Sequence, residues 1–145
     1  MNKIFSRSIS INAFEHDETD NIITMQSHLV DIFHDIKVTL DISLPDYIVI
    51  DARVEMATVP KEGCFDMNEV IKRLIGIKIG SGFHKTVAER IGGSDGCLNI
   101  VQMISSAAPL SINSSWFMKH NVRKGEEEMT NIVESHLSGK CAGYK

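Results

Sequence analysis

The stretch Ile36-Lys37-Val38-Thr39-Leu40-Asp41-Ile42-Ser43-Leu44 decides the fold. Apolar and polar residues alternate through it, the period of a strand with one face on a core and the other toward water. Working outward, the same period recurs on both sides. Upstream, Ile23, Met25, Ser27 and Leu29 share one face of a strand, and Ile9, Ile11 and Ala13 share one face of another. The polar run His16-Asp17-Glu18-Thr19-Asp20-Asn21 is a turn between them. Downstream, Pro45-Asp46 has turn chemistry. Beyond it Ile48, Ile50, Ala52, Val54 and Met56 alternate with Val49, Asp51, Arg53 and Glu55. Successive strands with short links predict an antiparallel meander that rests one face on the core.

The period changes after Pro60. Asp66 and Glu69 have the spacing of a capping box, and Phe65 and Val70 that of a hydrophobic staple. Met67, Val70, Ile71, Leu74 and Ile75 then form a helical stripe that Gly76 can stop. A second helix is carried by Phe83, Val87, Ala88 and Ile91 and ended by Gly92-Gly93. A third starts near Asp95 and runs through Leu98, Val101 and Ile104 until Pro109 interrupts it. Leu110, Ile112, Trp116 and Phe117 continue an apolar face. A last helix spans roughly Glu126 to Leu137, with acids in its first turn that suit the helix dipole. The residues after it read as a loop or a short terminal strand. The expected fold is therefore α+β: an N-terminal antiparallel β-meander of about four strands packed against a C-terminal layer of about four helices. One domain is expected over 1–145, with strands in 1–60 and helices in 64–137.

Length and composition agree with one ordinary core. The chain has 145 residues, 43% of them hydrophobic and 23% charged. A net charge of −4 with scattered basic residues argues against nucleic acid, whose phosphates need clustered Lys and Arg. The densest basic pair, Arg123-Lys124, is followed at once by Glu126-Glu127-Glu128. No apolar run reaches the ~20 residues of a membrane span, and the first residues lack a signal-peptide core. A cytoplasmic protein is expected. Its cysteines, Cys64, Cys97 and Cys141, are expected to be thiols there.

The chemistry-bearing residues are sparse. Gly80-Ser81-Gly82 precedes a helix but lacks a phosphate-binding fingerprint, so these glycines are expected to serve turns and packing. Gly92-Gly93-Ser94-Asp95-Gly96 reads the same way. Cys97 follows a glycine at a helix start, where the dipole and free N–H groups favour a thiolate; the alternative is that it packs inward. Cys64 stands before the first helix in a comparable place. Of six histidines, His34 stands out, because Asp31 and Asp35 flank it between two strands and a carboxylate can orient its ring. No pair has CxxC or HExxH spacing, so any site is assembled in three dimensions.

Arg7-Ser8-Ile9, Leu29-Val30-Asp31, His34-Asp35-Ile36, Gly63-Cys64, Leu74-Ile75-Gly76, Gly82-Phe83 and Gly92-Gly93 with Gly96-Cys97 occur in an order that resembles a bacterial family, domain of unknown function 2889. The resemblance runs from about Arg7 to Cys141 and is most specific from Leu74 to Cys97. It implies no established activity. The matching positions Asp31, His34, Cys64, Cys97 and Cys141 are candidate ligand or metal-binding residues, and their thiol and imidazole groups suit zinc, iron or an iron–sulfur site. Relatives usually carry His where this chain has Asn99. Asn is a poor metal ligand but can make a hydrogen bond that His makes.

Three functions from different classes follow. The first is a domain that binds a small molecule or metal through Cys64, Cys97 and His34 at the seam between sheet and helices. The second is a non-enzymatic accessory or interaction protein, a homodimer through Trp116-Phe117 or a sheet edge. The third is a thiol redox module, against which the missing CxxC counts.

Overall fold

The structure is a computed structural model that describes residues 1–16, 19–120 and 126–144, without the side chains of 126–129. Asp17-Glu18 of the expected first turn, the Arg123-Lys124 pair and the acidic side chains opening the last helix lie outside the described residues. Four antiparallel strands come first: β1 (Arg7–His16), β2 (Thr19–Asp31), β3 (Asp35–Ser43) and β4 (Ile48–Thr58), in the order β1-β2-β3-β4. The helices follow: α1 (Met67–Ile71), α2 (Phe83–Ile91), α3 (Leu98–Ala107), α4 (Leu110–His120) and α5 (Glu126–Leu137). The arrangement is the α+β meander and helices that the alternation predicts. Contacts divide the chain into two compact units, Met1–Ser114 and Ser115–Lys145.

In the first unit, α1 packs on β4 while α3 lies over β1, β2 and β3. The core face of the sheet carries Ile23, Met25, Leu29, Ile36, Leu40 and Ile42, all buried. Ile71, Leu74, Phe83, Val87, Ile91, Ile100, Met103 and Ile104 meet them from the helical side. Burying such side chains contributes roughly 1.5–3 kcal/mol each before the entropy cost of ordering the chain.

Three local expectations change. In β4 it is Val49, at 1% exposure, that faces the core, and Ile50, at 41%, that does not. The pairing Asp41↔Asp51 followed by Ile42↔Val49 leaves Ile50 as the extra residue of a bulge, which flips the phase of everything before it. The capping box at Asp66 does not form. The segment Glu62–Asp66 is itself a tight 3-10 turn, so Asp66 has φ −76° and ψ 2° instead of the extended backbone that an N-cap needs. The third helix begins at Leu98, three residues later than expected, and Leu98 points outward. Cys97 takes the inward place before it, half-buried against the core.

The loop between α2 and α3 explains its glycines. A Cβ at Gly96 would lie 2.0 Å from the Ile91 carbonyl oxygen, and one at Gly92 would lie 2.4 Å from that of Ala88. The loop folds back so closely that the Cys97 N–H donates to the Ile91 oxygen at 3.0 Å. That tight return fixes where α3 begins.

In the second unit, the Trp116 indole lies 4.3 Å from the His136 ring in a stacked arrangement and 4.6 Å from His120. The residues after α5 form turns, with the Gly139 N–H donating to the Tyr144 oxygen at 2.8 Å.

Candidate functional site

The β2–β3 hairpin closes on Asp31-Ile32-Phe33-His34, where the Asp31 N–H donates to the His34 carbonyl at 2.9 Å. The Asp31 side chain turns back into its own loop. Its Oδ1 accepts from the N–H groups of Phe33 at 2.8 Å and His34 at 2.9 Å, and lies 2.9 Å from His34 Nδ1. This is the local bonding that makes Asp a good turn residue.

Two distant residues complete the arrangement. Arg7, at the start of β1, donates Nε to Asp31 Oδ2 at 2.8 Å and places Nη2 2.7 Å from the same oxygen. Its Nη1 donates to Asn99 Oδ1, on the first turn of α3, at 2.9 Å. The other end of that amide, Nδ2, reaches His34 Nε2 at 3.3 Å. With its oxygen on Arg7 and its N–H₂ toward the ring, Asn99 sets the tautomer: His34 donates Nδ1–H to Asp31 and offers the Nε2 lone pair to the amide. One hub thus ties β1, the hairpin and α3 together.

Asp31 is 0% exposed at its side chain and His34 15%. Burial acts to raise the Asp31 pKa, but the Phe33 N–H, the His34 ring and Arg7 outweigh it and hold the carboxyl well below the usual range. The carboxylate is therefore ionised and fully occupied.

Hydrogen bonds join two of the candidate residues. Asp31 and His34 meet. Cys97 sits two residues before Asn99 as the N-cap of α3, Cys64 lies in the turn Glu62–Asp66, and Cys141 belongs to the second unit. All three thiols are free. Among the described residues no three His, Cys, Asp or Glu side chains are placed to hold a metal ion. The donors at the hub are also spent, since Asp31 faces Arg7 and two N–H groups while the His34 lone pair faces an amide. The hub does not fit a zinc or iron centre.

Arg7 and Asn99 are the residues that sequence reasoning left out of the candidate set. The signal for Asn99 was its place in the Gly96-Cys97 motif, together with the hydrogen bond an amide can share with imidazole. Arg7 stands in the Arg7-Ser8-Ile9 motif, but nothing local shows its role, because its partners are 24 and 92 positions away.

Large apolar side chains stand in solvent on the segments the hub joins. Ile32 is 72% exposed, Phe33 52%, Leu98 80% and Phe5 47%. Phe5 underlies the Arg7 guanidinium at 5.8 Å, and Phe33 meets the His34 ring edge-on at 6.5 Å. On the sheet face turned away from the helices, a pocket of about 420 Å³ is lined by Phe14, Glu15, His16, Thr24, Asp41 and Arg53. Three of its polar side chains satisfy each other: Asp41 accepts from Thr24 at 2.7 Å and from Arg53 at 2.8 Å. No helix among the described residues is long and apolar enough to cross a membrane.

No curated protein and no solved structure gives a significant match to this chain. Residues 6–113, which hold the whole sheet and the hub, match the family described as "Protein of unknown function (DUF2889)", and the chain belongs to that family.

Proposed function

We propose that the chain is a non-enzymatic interaction module whose binding face is the apolar rim around the Arg7–Asp31–His34–Asn99 hub. The observation that carries this reading is the exposure of Phe5, Ile32, Phe33 and Leu98 on three segments that one polar network ties together. Exposed aromatic and aliphatic anchors on a rigid support are what a protein partner buries. A hub whose donors and acceptors answer one another gives rigidity and leaves little for chemistry. The test is the triple substitution Ile32→Ser, Phe33→Ser and Leu98→Ser, compared with the unmodified chain. In extracts of its own cells, the unmodified protein is expected to elute larger than its purified form, and the variant to elute at its purified size with an unchanged melting temperature. Equal elution of both at the purified size contradicts the proposal.

A second reading, a small-molecule site at the same seam, draws on one contact. The Asn99–His34 bond is long, at 3.3 Å, and the ring edge retains some access to solvent. A ligand with an N–H or O–H donor could replace the amide there. Shifts of the His34 ring resonances in a fragment screen would favour this reading, and a silent ring would remove it.

A further inference from the structure

We infer that β1 is a dimerisation strand, on which two copies of this chain pair antiparallel about a two-fold axis at Ile11. This does not rest on the apolar rim, because it is argued from the outer edge of β1, and the one hub residue it draws on is Arg7, as a charge across the seam.

β1 is the outermost strand of the order β1-β2-β3-β4. The other outer strand, β4, is partly covered by the chain itself. The Val49 N–H donates to Ile77 at 2.9 Å, the Gly76 N–H to Val49 at 2.7 Å and the Ile79 N–H to Tyr47 at 2.8 Å. Among the described residues no such segment runs along β1. Its row of peptide groups on that side is a template for another strand.

The usual protections of an edge are missing from it. Ser8-Ile9-Ser10-Ile11-Asn12-Ala13-Phe14 has no charge, no proline and no glycine. The one bulge falls after this run, between Glu15 and His16. The core face is left unfinished at the same place. Ile9 and Ile11 are only half-buried and Ala13 is exposed, whereas Met25 and Leu29 beside them are buried.

A second copy fits this edge better than an arbitrary strand. With the axis at Ile11, Ile9 faces Ala13 of the other copy, Ile11 faces Ile11, and Ala13 faces Ile9, all on the core side. The same register sets Arg7 opposite Glu15 at both ends and opposes no like charges. Moving the axis to Ser10 puts Arg7 opposite Ala13 and loses both matches. The nine residues from Arg7 to Glu15, at about 3.4 Å each, give a seam roughly 31 Å long.

The experiment is sedimentation equilibrium of the full chain, with disulfide mapping of Ile11→Cys under mild oxidation. A dimer is expected, with a disulfide joining position 11 of the two copies, whose Cα atoms fall within bonding range in this register. Glu15→Arg, which places it against Arg7, is expected to raise the dissociation constant at least about threefold. Hydrogen exchange on the unmodified chain is the second measure, because Ile11→Cys trims a half-buried side chain. Protection of the Ser8–Phe14 amides is expected to rise with protein concentration. A chain that remains monomeric at its solubility limit, or a dimer with concentration-independent exchange in β1, overturns the inference. So does protection of β1 only in the presence of another protein, which would assign the edge to a foreign strand.

Discussion

Asn99 stands between Arg7 and His34 with one amide, taking the guanidinium on its oxygen at 2.9 Å and facing the ring through its nitrogen at 3.3 Å. The amide thereby links the first strand to the hairpin through a helix that begins over sixty residues later. Arg7→Ala and Asn99→Ala should each lower stability by about 1 kcal/mol, the net worth of the bonds lost. Because both residues serve one network, the double variant should lose less than the sum. Chemical denaturation of the four proteins checks this, with a coupling of about 0.5 kcal/mol or more expected.

Asp31 gives the hub a pH dependence. Its folded pKa lies below its unfolded one, so the stability it contributes is complete above an ordinary carboxyl pKa of about 3.9 and is lost as pH falls through the lower folded value. Unfolding free energy should therefore decline below about pH 4. Asp31→Asn removes this group's share, so that variant should start lower and show a shallower acid slope. A slope equal to that of the unmodified chain would count against the assignment.

Much of this fold is legible in the sequence because burial has a period. Ile36, Leu40 and Ile42 lie buried where their alternation puts them, and α5 spans the expected Glu126–Leu137. What escapes is set by partners. The bulge at Ile50 depends on how β4 spaces against β3, and no pattern within β4 reveals it. Leu98 looks like a core residue by spacing, yet the tight loop at Gly96 starts the helix so that Cys97 points inward instead. Of the site, Asp31 and His34 were legible because their pairing is local. Arg7 and Asn99 were not, because their partners come from other segments.

The loop before α3 makes a sharp prediction. A methyl group at Gly96 would meet the Ile91 carbonyl at 2.0 Å, so the backbone must shift. Gly96→Ala should cost about 1–3 kcal/mol, the usual range for forced overpacking. Part of that shift should move Asn99, and NMR of the Asn99 side-chain amide should register it. Gly63→Ala, at a position with open space, is the control and should be nearly neutral.

Ser27 offers a gain. Its hydroxyl is buried on the core face of β2 with no hydrogen-bond partner among the described residues. An unsatisfied buried hydroxyl carries its desolvation penalty uncompensated, so Ser27→Ala should stabilise the protein by about 1 kcal/mol. A raised melting temperature checks this, and a lowered one would mean the hydroxyl has a partner in solution.

The rim around the hub is tested most directly by hydroxyl-radical footprinting of Phe33 and Leu98 in the protein's own cells and in dilute purified protein. An interaction module predicts heavy labelling of both residues when purified and clear protection in the cell, with exposed Ile112 labelled alike in both. Equal labelling of Phe33 and Leu98 in the two settings would contradict it.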